Sequence, residues 1–210
     1  MLSRRDALTM TGAALAMPAL AGAALAQSAQ AAGLLDPGPL RDIWLGPADA
    51  KATIIEYAAV TCPHCAAFHR DTWPALKQRW VETGKVRFVL RAFALNPLDT
   101  AGFMLARADD AARYYPITDL LFDQQAHWAF VQKPLDALAQ MMRQAGFSKE
   151  TFEAALRDQT LYAAFNASQQ RAETVFQVHS TPTLFINGKR HEGEVSIAAL
   201  ESILTPLTAP

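Results

Sequence analysis

Cysteine is scarce in this 210-residue chain, which has two, Cys62 and Cys65, separated by two residues. So small a number excludes a framework of several disulfides, and no second pair is present to complete a structural zinc site. Charge of either sign is also not in excess: 19 basic against 20 acidic side chains leave a formal net charge of -1. That balance argues against nucleic acid or an anionic membrane surface as a partner. Internal repeats and low-complexity tracts are missing too. What is present is 51% apolar composition with four tryptophans, which sets disorder and fibres aside. It is enough for a sizeable core in one domain, or in one domain carrying an insertion.

Residues 1 to 26 carry little charge beyond Ser3-Arg4-Arg5-Asp6, then an Ala/Leu-rich run, then Ala24-Leu25-Ala26 before Gln27. This is the layout of a cleavable export signal cut near Ala26. The paired arginines resemble a twin-arginine signal, although Ala7 stands where a bulky apolar residue is usual, so the export route stays open. A retained anchor helix is the alternative, but Gly12, Pro18 and Gly22 interrupt a run only marginally long enough to span a bilayer. Export to the periplasm delivers the lone cysteine pair to a compartment where disulfides persist.

Residues 27 to 50 hold three glycines and three prolines around Ile43-Trp44-Leu45 and predict a linker with a short edge strand. Thr53 to Val60 is almost continuously apolar, which fits a central strand buried on both faces. Helical spacing of Phe68, Trp73, Leu76, Trp80 and Val81 predicts a helix from Pro63 to about Glu82, bent at Pro74. A strand over roughly Val86 to Leu95 follows. From about Leu98 to Val178 the apolar residues repeat every three to four positions, which predicts four or five helical segments. Strand signals return at Thr183 to Ile186, then Asn187-Gly188 marks a hairpin turn, and Ser196 is placed to cap a last helix.

Strands on either side of the first helix require a parallel crossover. The order therefore predicts an α/β thioredoxin fold, with a core over residues 51 to 97 and 179 to 207 and an inserted helical domain over residues 98 to 178.

Cys62 stands where the central strand gives way to a helix, Pro63 suits the first helical position, and Cys65 lies one turn on. Free amides at the helix N-terminus and a protonated His64 favour a Cys62 thiolate. Favouring the thiolate stabilises the reduced form and weakens the disulfide, so the pair should act as an oxidant. A structural disulfide is the competing reading, but a four-residue loop restrains little of the unfolded chain. Cys62, Cys65 and His69 share a helical face, as partial metal ligands would, yet nothing completes the set, and neither metal nor cofactor is expected.

Glu56, six residues before Cys62, is costly to bury and is suited to exchange a proton with Cys65. An edge glutamate facing water is its alternative, and Arg91 on the next strand is a candidate partner. Pro182, after Ser180-Thr181, is either an ordinary edge residue or a cis proline shaping a tight turn. His69 and His127 read as surface or packing residues and His191 as the solvent side of the hairpin, while His179 is less determinate. Phe122, Trp128 and Phe130 read as core rather than client contacts.

Together, Cys62-Pro63-His64-Cys65, the upstream Glu56, the downstream Thr181-Pro182-Thr183-Leu184-Phe185-Ile186-Asn187-Gly188 and the helical block resemble the DsbA family over about residues 40 to 205. The resemblance implies that Cys62 is the attacking sulfur and that Cys65 resolves the mixed disulfide. It also implies that Pro182 is cis and faces the pair, and that the Thr181 backbone pairs with an extended client chain. Many relatives carry extra structural cysteines absent here, and Thr181 occupies a position that tunes potential and partner choice in the family.

The leading expectation is a periplasmic thiol-disulfide oxidase. It would act on unfolded or newly exported cysteine-containing proteins and be reoxidised by a DsbB-type membrane partner. A disulfide isomerase or reductase is the alternative, and it would need a supply of electrons and usually an oligomer. Residues 27 to 50 are too short and too rich in proline and glycine for a dimerisation domain, so a monomer is expected. A metal-binding or chaperone module is the remaining, non-enzymatic alternative.

Overall fold

A computed structural model describes residues 33–209. The expected export signal and its cleavage near Ala26 lie outside the described residues. Among them, no helix is long and apolar enough to cross a membrane.

Four strands form one sheet in the order β2-β1-β3-β4, with β1 Ala52–Ala58, β2 Val86–Ala92, β3 Thr183–Ile186 and β4 Lys189–Glu192. β1 runs parallel to β2 and antiparallel to β3, and β3 and β4 are an antiparallel hairpin. The near-continuous apolar character of β1 and β2 reflects a sheet buried on both faces. One face, with Ile54, Ala58, Phe88 and Leu90, packs into the main core around Phe68, Trp73, Phe103, Tyr114 and Trp128. The other, with Ile55, Tyr57, Val89 and Phe185, packs against Leu34, Ala172, Phe176 and Val178. Each fully buried Val, Leu, Ile or Phe side chain among them contributes about 1.5–3 kcal/mol.

The crossover between β1 and β2 starts with α1, Pro63–Asp71, and breaks at Thr72 before α2, Trp73–Leu76, which continues as a π-helical turn, Lys77–Val81. Pro74 lacks the N–H that a continuous helix would need there, and the break falls two residues ahead of it. β2 ends at Ala92, short of the expected Leu95, because the chain turns to cap the next helix. Leu95 N–H and Asn96 N–H donate to Asp99 Oδ2, and the Asn96 side chain accepts from Leu98 N–H and Asp99 N–H.

Between β2 and β3 lie α3 Pro97–Ala106, α4 Tyr114–Asp123, α5 Gln125–Trp128, α6 Pro134–Gln144, α7 Lys149–Arg157 and α8 Gln159–Thr174. α9, Ile197–Thr208, closes the chain with Ser196 as its cap. At Gly102 in α3 a Cβ would come within 2.9 Å of Val60 Cγ2, so the missing side chain lets α3 lie against the end of β1. Of Ile43-Trp44-Leu45, Leu45 alone pairs with the sheet through its backbone, exchanging 2.8 Å bonds with Phe88, while the Trp44 ring packs under Arg87 of β2.

Candidate thiol active site

The site forms where β1 runs out. Cys62 has extended dihedrals and acts as the N-cap of α1, Pro63 occupies the first helical position, and the carbonyl of Cys62 accepts from Ala66 N–H at 3.1 Å. The same carbonyl and that of Val60 accept from Gln125 Nε2 at 3.0 and 2.8 Å. Asp99 holds the preceding residue, accepting from Thr61 N–H at 2.7 Å and from the Thr61 hydroxyl at 3.0 Å. The backbone of Cys62 is thus fixed by α3 and α5 as well as by its own helix.

Both cysteines are free thiols, so the pair is in its reduced state. The Cys62 thiol is pulled down to about 5, chiefly by a hydrogen bond from the Cys65 thiol. Burial opposes that effect, while the Thr181 side chain and the backbone N–H groups of Cys65 and His64 reinforce it. Cys65 is fully buried, and desolvation together with the nearby Cys62 and Glu56 charges pushes its thiol far up. One helical turn therefore holds a thiolate at its mouth and a protonated thiol beneath it. His64, exposed on the rim, pairs through Nδ1 with Glu194 Oε1 at 2.6 Å, which raises its pKa and favours the imidazolium beside the thiolate.

The peptide bond between Thr181 and Pro182 is cis, and the Thr181 carbonyl oxygen lies 3.4 Å from Cys62 Sγ. Of the two local readings of Pro182, the cis one holds. The loop ahead of β3 thus reaches the sulfur across 119 residues of chain.

Glu56 is wholly buried, which rules out the edge position facing water. Its partner is His69, whose Nε2 lies 3.2 and 3.1 Å from the two carboxylate oxygens. Arg91 is not that partner. In the parallel register Glu56 faces Leu90 and Tyr57 faces Arg91, so the side chains of Glu56 and Arg91 leave opposite faces of the sheet. Arg91 instead binds both oxygens of Asp42 at 2.9 and 2.7 Å, the Tyr57 hydroxyl and the Leu34 carbonyl.

His69 is buried and stacks on Phe122 with ring centroids 4.0 Å apart. His127 and His179 are exposed, and His191 is partly buried on β4 rather than open to solvent. Phe122 and Trp128 belong to the core, but Phe130 is 61% exposed and does not. Among the described residues no group of three or more His, Cys, Asp or Glu side chains is placed to hold a metal ion.

The structure thus brings together Cys62, Pro63, His64, Cys65, Glu56, Thr181 and Pro182. It adds His69, Gln125, Asp99 and Glu194. The position of His69 on the cysteine face of α1 was readable from spacing, its pairing with Glu56 was not. Gln125 and Glu194 carry no local signal, because distant elements bring them in.

A profile of the family described as Thioredoxin matches residues 40–205. A Rickettsia bellii protein named a protein-disulfide oxidoreductase is 30% identical over 152 residues, 72% of this chain, and the match spans 59% of that protein. The chain thus spans less than two thirds of the length of this curated relative. Wolbachia pipientis alpha-DsbA1 superposes with a TM-score of 0.77 at 24% identity, over 84% of this chain and 94% of that one. A protein-disulfide isomerase from Novosphingobium aromaticivorans superposes with a TM-score of 0.70 at 23% identity, over 79% of this chain and 97% of that one. The chain belongs to the thioredoxin family and carries its core in the helix-inserted arrangement of the DsbA structures.

Proposed function

We propose that the protein is a thiol-disulfide oxidase that donates the Cys62–Cys65 disulfide to unfolded or newly exported cysteine-containing proteins in the periplasm. The observation that carries this reading is the asymmetry of the pair, with Cys62 drawn down to about 5 and Cys65 driven the other way. A leaving group that is stable as a thiolate makes the mixed disulfide at Cys62 easy to resolve toward the client.

A client thiolate attacks Cys62 Sγ in the oxidised protein, forming the mixed disulfide and breaking the Cys62–Cys65 bond. Cys65 leaves as a thiolate and takes a proton from Glu56. A second client thiolate then attacks the client sulfur, closing the client's disulfide and releasing Cys62 as a thiolate. The client loses two electrons and the pair gains them.

The Thr181 carbonyl beside Cys62 supports a role in holding an extended client strand against the sulfur. Residues 1 to 26 support export, and a DsbB-type membrane protein is the proposed reoxidant of a monomeric enzyme.

The test is exchange with a reduced, unfolded client. Wild type oxidises it and Cys62→Ala does not, while Cys65→Ala, given instead a client that already carries a disulfide, attacks it through Cys62 and stops at the mixed disulfide. Equal client oxidation by all three proteins overturns the assignment.

A further inference from the structure

Among the buried polar atoms near the pair that lack hydrogen-bond partners within the described residues are His69 Nδ1 and Asp119 Oδ1. Both side chains line the same cavity of about 270 Å3, bounded also by Trp73, Phe122 and Lys77 and reaching the exposed Arg70 and Asp123. A water occupies about 30 Å3 of liquid, so the space admits several molecules beside the two side chains, whose unpartnered atoms are closed to solvent in this structure and meet that water only as the side chains shift. The other ring nitrogen of His69 faces Glu56, and Glu56 lies close enough to Cys65 for its charge to raise that thiol. The fold has thus set an imidazole between a buried carboxylate and a route to solvent.

We infer that His69 relays protons between cavity water bounded by Asp119 and the carboxylate of Glu56, and so sets the rate at which the sealed sulfur of Cys65 gains or loses its proton. This rests on the oxidase reading and deepens it. His69 acts through Glu56 and is a positioning residue, since it touches neither client nor sulfur.

When Cys65 departs as a thiolate it takes the Glu56 proton. A cavity water then protonates His69 Nδ1, and Nε2 passes its proton to the carboxylate, leaving the ring as the Nδ1–H tautomer. On reoxidation the Glu56 carboxyl first donates to Nε2 as Nδ1 returns a proton to the cavity, and the carboxylate so formed then takes the proton of Cys65. Ring and carboxylate end as they began, and no oxidant or reductant beyond the disulfide exchange itself is needed. The groups facing His69 are Glu56 from β1, Asp119 and Asp123 from α4, Arg70 and Cys65 from its own helix, and Lys77 from the turn after α2. Burial raises the Asp119 carboxyl, while His69 and Lys77 draw it back.

The test follows Cys65 attacking a preformed mixed disulfide between Cys62 and a peptide, from mildly acidic to mildly basic pH. His69→Ala is expected to slow this step about a hundredfold, the low end for lost acid–base assistance. Added imidazole, small enough for the vacated space, should restore it, whereas thiazole, of the same shape but without a ring N–H, should not. An unchanged rate and pH profile, or equal restoration by both compounds, overturns the relay. So does a slowed step accompanied by a moved Cys62 titration, because that assigns the loss to a distorted site.

Asp119→Leu removes the polar wall of the water space at a residue that has no direct bond to Glu56 or to the His69 ring. It is expected to slow the same step several-fold with Cys62 titrating as in wild type, and an unaltered rate overturns the relay even where His69→Ala does not fold. A wild-type protein that passes no disulfide to clients refutes the oxidase reading itself, a result separate from any of these.

Discussion

Lowering the pH through the Cys62 titration changes how many protons accompany the two electrons of the redox reaction. With Cys62 at about 5 and Cys65 far above the ordinary thiol range, the reduced pair at neutral pH holds one thiolate and one thiol. One proton is then taken up per two electrons, and the reduction potential falls by about 30 mV per pH unit. Below about 5 the reduced pair binds a second proton, and the slope steepens to roughly 59 mV per unit.

The same titration enters stability. An unfolded cysteine titrates near ~8.5, so at pH 7 a folded-state value of about 5 favours the reduced fold by about 2.7 kcal/mol, or roughly 1.5–2.7 kcal/mol after discounting for solvent screening. Because the folded value is depressed, this contribution is fully present above the unfolded pKa and is lost as pH falls through the folded one. The oxidised protein lacks it, so the reduced form should be the more stable to urea at neutral pH, by an amount equivalent to ~30–60 mV of potential. The assay is equilibration with glutathione from acid to mildly basic pH, read beside the ultraviolet absorbance of the thiolate. A two-proton slope holding through neutrality, or no break near the thiolate midpoint, would refute the electrostatic reasoning.

His64→Pro removes a backbone N–H that stabilises the thiolate and the imidazolium beside it. Losing one hydrogen bond to a charged group costs about 1.5–3 kcal/mol, so the Cys62 midpoint should rise by roughly one to two units and the disulfide become less oxidising, and an unmoved midpoint tells against it. Asp42→Ala leaves Arg91 buried without its carboxylate, the two side chains being 4% and 10% exposed. Urea denaturation should register a loss of about 3–5 kcal/mol, and a change below ~1 kcal/mol would mean that the pair behaves as a surface contact.

Much of the fold was legible in the sequence because its signals are local. The apolar run of β1, the proline after Cys62, the Asn187-Gly188 turn and Ser196 each declare an element within a few residues. β2 was drawn three residues too long because Leu95 reads as strand, while the deciding contact, Asp99 accepting from its amide, belongs to the next helix. The pairing of Glu56 failed for a similar reason. Arg91 is one residue out of register, and period-two alternation turns one residue into the opposite face of the sheet. The dithiol could be read from four adjacent residues, whereas His69, Gln125 and Glu194 acquire meaning only when α1, α5 and the loop after β4 converge.

Gln125 has a mechanical consequence. Its single amide clamps the carbonyls on either side of Thr61, so the helices between β2 and β3 grip the same short stretch of backbone that carries Cys62. A load that pries those helices from the sheet stretches that grip together with the Asp99–Thr61 and Tyr114–Leu90 bonds, and part of the tug arrives at Cys62. A client bound beside Cys62 as proposed would meet backbone braced on both sides of Thr61.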